Sequence, residues 1–409
     1  MGVKKAIIHL GMPKTGSSSI QHTLFTNTAS LENNSFRYLR EWKRNHHNQF
    51  HNLFFRYSDC PPDEKHFGSS LFSADFKKRE NKRAINALQK VIKMSDCETL
   101  LLSGEYFRTL YLNATLERIK TFIEKYFTSN SIETTIVYYV RNPLVWIDSW
   151  TSQIIFSSGY LDRDGDFFET AIKQYHGVFN LQSYFGDRLK VIKFEDACMD
   201  NGGLVANFLR VINFPEREIA NIDMSESRVN ESRSMEVIEF AHFVTAMEAR
   251  NSLVNYFKQQ IPGRFYRDIT PLKNIKGVKF ALSFQSKVEL WDRLQGTVKL
   301  LKENLNIDYT DYKVPAPLPE QIIYNKQTIQ GFIDAFPKLD IVIQKYFLIF
   351  FKKKYMETAQ EKFKRLYFTD SAPYKMYKRN NSFLKKLSTK KNITLRFIKK
   401  VIKVKMPKI

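Results

Sequence analysis

The chain has 409 residues, of which 43% are hydrophobic and 14% aromatic. That is enough apolar mass for two or three domains, and it excludes a disordered or fibrous protein. Lys and Arg total 64 against 42 Asp and Glu, and the resulting charge of +22 selects anionic partners (phosphates, nucleic acid, acidic lipid or acidic polysaccharide) without choosing among them.

In chain order, strand-like and helix-like segments alternate. Ala6–Leu10 is a short apolar run closed by Gly11 and reads as a buried strand. A helical pattern starts at Ser17, with Ile20, Leu24 and Phe25 on its apolar face. Residues 42–70 are polar, His-rich and aromatic, and are expected to form an irregular insertion. A helix is predicted over Arg79–Met94, where Ala84, Leu88, Val91 and Ile92 share a face, and a second buried strand over Thr99–Ser103. Leu116–Phe127 is again helical in pattern, and Thr135–Val140, rich in β-branched and aromatic residues, is a third strand. Pro143 stands at the favoured first position of a helix continued by Val145, Trp146, Trp150, Ile154 and Ile155. A fourth strand is predicted over Leu189–Phe194, with helices over Gly203–Ile212 and Val237–Met247. Strands separated by helices predict an α/β fold, a parallel sheet flanked by helices.

Pro315–Pro319 marks a boundary. It gives a first domain over 1–314, a mainly helical extension over 315–370 and a basic tail over 371–409. The tail carries 13 Lys and Arg and no Asp or Glu, so the rest of the chain keeps only +9. Leu395, Phe397, Ile398, Val401, Ile402 and Val404 form an apolar stripe among its cations, a pattern suited to an anionic membrane surface. Nucleic acid is disfavoured as a partner, since no recognised binding motif is present. Cys60, Cys97 and Cys198 lie far apart with no zinc spacing, so no metal is expected and a reducing compartment is. The first apolar run is too short for a signal peptide, and no run approaches the roughly 18 residues of a spanning helix. The expected location is cytoplasmic, peripheral at the inner face of the membrane.

Open parallel sheets bind ligands beyond the carboxyl ends of their strands. Gly11–Ser18, Gly104–Glu105 and Arg141–Pro143 all fall there. The segment Gly11-Met12-Pro13-Lys14-Thr15-Gly16-Ser17-Ser18 follows a strand and opens a helix, where backbone N–H groups and the helix dipole favour an anion. Gly11 and Gly16 have the spacing of a Walker A loop, but position 17 is Ser and the lysine lies inside the loop at Lys14. The signature of an ordinary P-loop kinase is therefore missing.

Pro13–Ser18 instead resembles the P-K-[ST]-G-[ST]-[ST] loop of sulfotransferases that use 3′-phosphoadenosine 5′-phosphosulfate (PAPS). A second match is Arg141 at a strand end with Ser149 eight residues later, like that family's 3′-phosphate site. The physics agrees, since Arg makes forked bonds to phosphate and a hydroxyl two turns into the helix reaches the same group. The resemblance covers residues 5–240, is nearest to bacterial and glycan-type members, and implies a P-loop-like α/β core. It implies that Lys14, Thr15, Gly16, Ser17, Ser18, Arg141 and Ser149 bind PAPS, with Lys14 also aiding the leaving oxygen and no metal required. Ser227–Ser232 resembles a late R-x-N-x-S segment, which puts Arg228 at the nucleotide or an anionic acceptor. Glu105, just past the second strand, is the first candidate for the base, as in heparan sulfate sulfotransferases. His46, His47 and His51 cluster in the insertion, and His47 and His51 are candidates for acceptor contact or for the base. The implied reaction moves a sulfuryl group to a hydroxyl or amine of a glycan or glycolipid, such as a cell-surface or capsular polysaccharide. The alternatives are a nucleotide-dependent kinase and a non-enzymatic nucleic-acid- or membrane-binding protein.

Overall fold

The computed structural model describes residues 2–55, 74–105, 110–158, 166–225, 233–249, 268–316, 324–358, 360–363, 373 and 375–378. These divide into two compact units, one drawn from Met1–Trp150, Asp162–Glu231 and Leu282–Ala316, the other from Thr151–Leu161, Ser232–Ala281 and Pro317–Ile409.

The first unit opens with β1 (Lys5–Gly11), α1 (Ser17–Thr26), α2 (Thr28–Asn33), β2 (Phe36–Tyr38) and α3 (His47–Phe54). It continues through α4 (Ala74–Met94), β3 (Thr99–Glu105), α5 (Asn113–Tyr126), β4 (Glu133–Val140) and the start of α6 (Pro143–Ser158). Then come α7 (Asp166–Phe185), β5 (Leu189–Lys193), α8 (Phe194–Met199), α9 (Gly203–Val211) and α10 (Glu216–Ile219). The five strands form one parallel sheet in the order β2-β3-β1-β4-β5, flanked by helices, as the alternation predicts. Both faces are covered, which is why β1 and β3 read as unbroken apolar runs.

The central strand β1 pairs with β3 along its whole length, from Lys5 opposite Thr99 to Gly11 opposite Glu105. Against β4 it pairs only as far as His9 opposite Val137. The chain lays β2 and β3 on one side of β1 and then β4 and β5 on the other. The carboxyl edge at β1 is thus a topological switch point, and β1 leaves β4 just before its final residues.

Four elements depart from the sequence expectations. The insertion predicted to be irregular contains α3, whose Phe50 and Phe54 are buried at helical spacing. The part of it over 56–70 lies outside the described residues. The edge strand β2 was too short, and too polar at Arg37, to register as a strand. The helix α7, and α12 later in the chain, have no counterpart among the expected elements.

The second unit contains α11 (Met235–Ala249), and α12 (Phe284–Leu305) returns to the first. α13 (Lys326–Ala335) and α14 (Ile341–Thr358) belong to the second, and supply the helices expected beyond residue 315. Phe240 of α11 packs against Phe332, Phe347, Phe350 and Phe351. The carboxylate of Glu236, fully buried, accepts the backbone N–H groups of Val278 and Tyr324. No helix among the described residues is long and apolar enough to cross a membrane. The amphipathic stripe of the tail lies outside the described residues.

Gly104 sits where β3 meets α3: a Cβ there would stand 2.2 Å from Phe50 Cδ2. Gly104→Ala should therefore lower stability by about 1–3 kcal/mol, as over-packing does. Adding Phe50→Leu should return part of that loss. Chemical denaturation of the two variants checks this; a single substitution as stable as the parent contradicts the packing.

Candidate functional site

Five residues separate β1 from α1. Two of them, Lys14 and Gly16, have positive φ values of 67° and 72°. A lysine in the left-handed region costs roughly 1–3 kcal/mol, so the surroundings must hold it there. Thr15 between them is fully buried, and its Oγ1 donates to the Met12 carbonyl at 2.6 Å. At Gly16 a Cβ would meet Leu204 Cδ2 at 2.2 Å, besides the backbone cost. At Gly11 a Cβ would stand 2.0 Å from Ser17 Oγ, so only glycine lets that hydroxyl fold back over the loop. Ser17 Oγ is buried and has no hydrogen-bond partner.

The carbonyls of the loop are held from outside it. Trp146 Nε1, on fully buried Trp146 of α6, donates to the Pro13 carbonyl at 2.6 Å. Arg141 Nη1 donates to the Lys14 carbonyl at 2.9 Å. Two carbonyls of the loop are thus held at its rim, while the Thr15 N–H donates to the Met12 carbonyl at 3.3 Å. Trp146 stacks on Trp150 at 5.4 Å and meets Tyr175 edge-on at 5.7 Å. Its sequence position gave no hint of this role, because the pairing spans 133 residues.

Arg141 leaves the end of β4 with its guanidinium 5.3 Å from the centre of the Phe194 ring, and its Nε has no partner. Its carbonyl accepts from Tyr175 Oη at 3.1 Å. The next residue, Asn142, donates its N–H to Glu195 at 2.9 Å, while its Oδ1 accepts from the N–H groups of Leu144 and Val145 and so caps α6. Tyr309 Oη closes the arrangement at 2.7 Å from the other Glu195 oxygen. Burial and the Glu195 charge push the Tyr309 phenol well above its ordinary value. Asp148 does not neutralise Arg141: it is taken by Lys287 at 2.8 Å and by the Leu282 N–H. Ser149 is half-buried on α6, and no hydrogen bond joins it to Arg141. Arg228 lies outside the described residues.

Glu105 ends β3 directly beside Gly11. Its carboxylate accepts from Ser18 Oγ at 3.4 Å and from the Lys14 backbone N–H. Burial pushes its pKa up, the Lys14 charge and these hydrogen bonds pull it down, and burial wins, so it titrates above its ordinary 4.5. His47 Nδ1 lies 2.6 Å from the Glu105 carbonyl. A carbonyl can only accept, so Nδ1 carries the proton and Nε2 keeps its lone pair. Burial holds His47 below its ordinary 6.5. His51, one turn on, has its ring centre 5.9 Å from that of His47 and lies tilted against Phe55 at 4.7 Å. His46 is fully buried, pushed down to about 3, and faces the core rather than a ligand.

The structure thus brings together Lys14, Thr15, Gly16, Ser17, Ser18, Glu105, Arg141 and His47 at one sheet edge. Among the described residues, no group of three or more His, Cys, Asp or Glu is placed to hold a metal.

The sequence matches no described protein-family profile and no curated protein. Among solved structures it is similar to a sulfotransferase from Alicyclobacillus acidocaldarius, with 13% identity, a TM-score of 0.33, and coverage of 63% of this chain and 96% of that one. It is also similar to the sulfotransferase domain from the curacin biosynthetic pathway, with 15% identity, a TM-score of 0.29, and coverage of 54% of this chain and 77% of that one. At that level of likeness neither decides the chemistry; the residues of the site have to.

Trp146→Phe keeps the aromatic packing but strips the Pro13 carbonyl of its donor. A loss of about 1–3 kcal/mol is expected from the unpaired buried group. Stability equal to the parent in a denaturant titration would show that Trp146 does not pin the loop.

Proposed function

We propose that the protein transfers a sulfuryl group from PAPS to a hydroxyl or amine of a glycan or glycolipid acceptor. The observation that carries this reading is the buried, unpartnered Ser17 hydroxyl inside a loop whose Lys14 stands against the carboxylate of Glu105. A donor waiting for an acceptor at the loop's centre fits a bound phosphate. A cation facing a carboxylate across that loop fits group transfer to a protic nucleophile.

The residues present fit PAPS. Thr15, Gly16, Ser17 and Ser18 would hold its 5′-phosphate end, and the unpaired Nε of Arg141 would serve its 3′-phosphate, with Ser149 and Arg228 as further candidates there. Bound PAPS would supply a sulfuryl group attached to a phosphate leaving group. Lys14 stabilises negative charge at the loop. Glu105 takes the proton from the acceptor hydroxyl, and its raised pKa makes it a stronger base than an exposed carboxylate. His47, its Nε2 lone pair fixed by the Glu105 carbonyl, orients the acceptor as a hydrogen-bond acceptor, with His51 beside it. The basic tail would bring the protein to an anionic membrane surface on the cytoplasmic side. Kinase chemistry is the weaker reading because the residue after Gly16 is Ser17, where a P-loop kinase has its lysine.

Calorimetry should show 3′-phosphoadenosine 5′-phosphate binding without Mg²⁺ and more tightly than ATP. Tighter binding of Mg²⁺-ATP reverses the assignment. Arg141→Ala should erase the preference for this nucleotide over AMP; retained preference contradicts the role of Arg141.

Glu105→Gln should cut turnover by roughly 10²–10⁴-fold with nucleotide affinity unchanged. In the parent, the base must be ionised to work. Turnover should therefore fall as pH drops through a value above the ordinary 4.5 of Glu, the direction in which burial moves Glu105. An acid limb at or below 4.5, or normal turnover in Glu105→Gln, moves the base to His47 or His51.

A further inference from the structure

Every second residue of β3 turns its backbone toward the side where β2 lies. Thr99 donates to the Ser35 carbonyl at 3.0 Å, and the Leu101 carbonyl accepts from Leu39 at 3.1 Å. There β2 has already ended, at Tyr38, while β3 runs on through Ser103 to Glu105. Buried backbone groups left unpaired would be costly. They are not left unpaired. The Ser103 carbonyl accepts the His46 N–H at 3.2 Å and Gln21 Nε2 at 3.3 Å. The Ser103 N–H donates to His46 Nδ1 at 3.0 Å. The Glu105 carbonyl accepts from His47 Nδ1 at 2.6 Å.

His46 thus does with one backbone group and one ring nitrogen what a strand residue does with two backbone groups. Accepting at Nδ1 requires a neutral ring with its proton on Nε2. The carbonyls of Leu39 and Lys43 favour a proton at that far edge, although neither makes a well-aligned hydrogen bond. The ring is held flat on Tyr38, with centroids 4.6 Å apart and planes 15° off parallel, and edge-on to Trp42 at 5.5 Å. Ser103 is tied on its other face as well, its hydroxyl lying 2.8 Å from His9 Nδ1.

We infer that His46 is a positioning residue: it stands in for the missing end of β2, completes the hydrogen-bond ladder of β3, and thereby fixes where the Glu105 carboxylate stands relative to Lys14 and Ser18. This rests on the reading of Glu105 as the base. The role belongs to the Nδ1 lone pair and not to the bulk of the ring, and that separates it from simple core packing.

The test uses the full chain with ¹³C-carboxyl-labelled glutamate, the Glu105 resonance being assigned by its loss in Glu105→Gln. His46→Phe keeps a ring on Tyr38 but has no acceptor. His46→Asn keeps an acceptor, Oδ1, at the same place in the side chain as Nδ1. In His46→Phe, deuterium uptake over the Leu102–Glu105 segment should rise by about one amide, that of Ser103. The Glu105 titration should also move down toward 4.5 as its burial loosens. His46→Asn should do neither. If His46→Phe does not fold, His46→Leu, which also has no acceptor, takes its place with the same expectations. An unmoved Glu105 titration in the acceptor-less variant, or an equal shift in His46→Asn, overturns the inference. Binding of 3′-phosphoadenosine 5′-phosphate, followed by calorimetry on the same samples, should not change in either variant. Absence of binding in the parent would count against the transferase reading, while the exchange and titration data would still judge His46.

Discussion

Parallel strands of unequal length leave backbone groups unpaired at the carboxyl edge of a sheet, and the site of this protein is built from the ways those groups are satisfied. β1 outruns its pairing with β4, and β3 outruns β2. On one side of β3 the vacancy is filled by His46 and His47. On the other side of β1 the chain turns sharply into the loop before α1, and the carbonyls it exposes there go to Trp146 and Arg141. The polar character of the edge thus follows from strand length before any side chain is considered.

The electrostatics rest on the same edge. Behind it the side chains are kept neutral: burial holds His9 and His46 at about 3 and drives the phenols of Tyr175 and Tyr309 upward. In front of it stand two cations, Lys14 and Arg141, and one carboxylate, Glu105. A neutral backing keeps the interaction between Lys14 and Glu105 local: among the described residues, Lys14 is the charge that acts on Glu105. Glu195 looks like an exception, but both its oxygens are already occupied, one by the Asn142 N–H and one by Tyr309. It holds the turn that carries Arg141 and leaves the guanidinium itself unpaired by a carboxylate. Among the described residues no carboxylate forms an ion pair with Arg141, which suits the phosphate-binding role proposed for it.

How much of this was legible in the sequence depends on how local each cause is. The strands β1, β3 and β4 showed themselves because burial on both faces forces apolar runs, and the partly buried edge strand β5 through Leu189, Val191 and Ile192. The loop showed itself because a left-handed turn, a close backbone approach and a helix start each demand a residue type at a fixed offset, and Lys14 to Ser18 supply them in order. Arg141 and Glu105 could be placed at the edge once their strands were recognised. What stayed hidden is what couples distant segments. His46 looks like one of three histidines in a polar stretch; only the early end of β2 turns it into part of a sheet. Trp146 looks like one apolar residue on a helix face until Pro13, far back in the chain, proves to need a donor. The reach of Asp148 toward Lys287 and Leu282 is equally non-local.

The same distinction explains why the two bases considered for the reaction differ in kind. Glu105 is set by its register beside Gly11, a consequence of the longest strand pairing in the sheet, so its carboxyl is carried to the loop by the core itself. His47 is carried by α3, which is held to the edge by a few separate contacts and no strand pairing: the His46 N–H on the Ser103 carbonyl, the His47 ring on the Glu105 carbonyl, and Phe50 against Gly104. A group that must meet the reacting hydroxyl at fixed distance belongs on the rigid element, and a group that must accommodate acceptors of varied shape belongs on the looser one. That is the ground for proposing Glu105 as the proton acceptor and His47 as the acceptor contact, and the hydrogen bond between them links the second to the first.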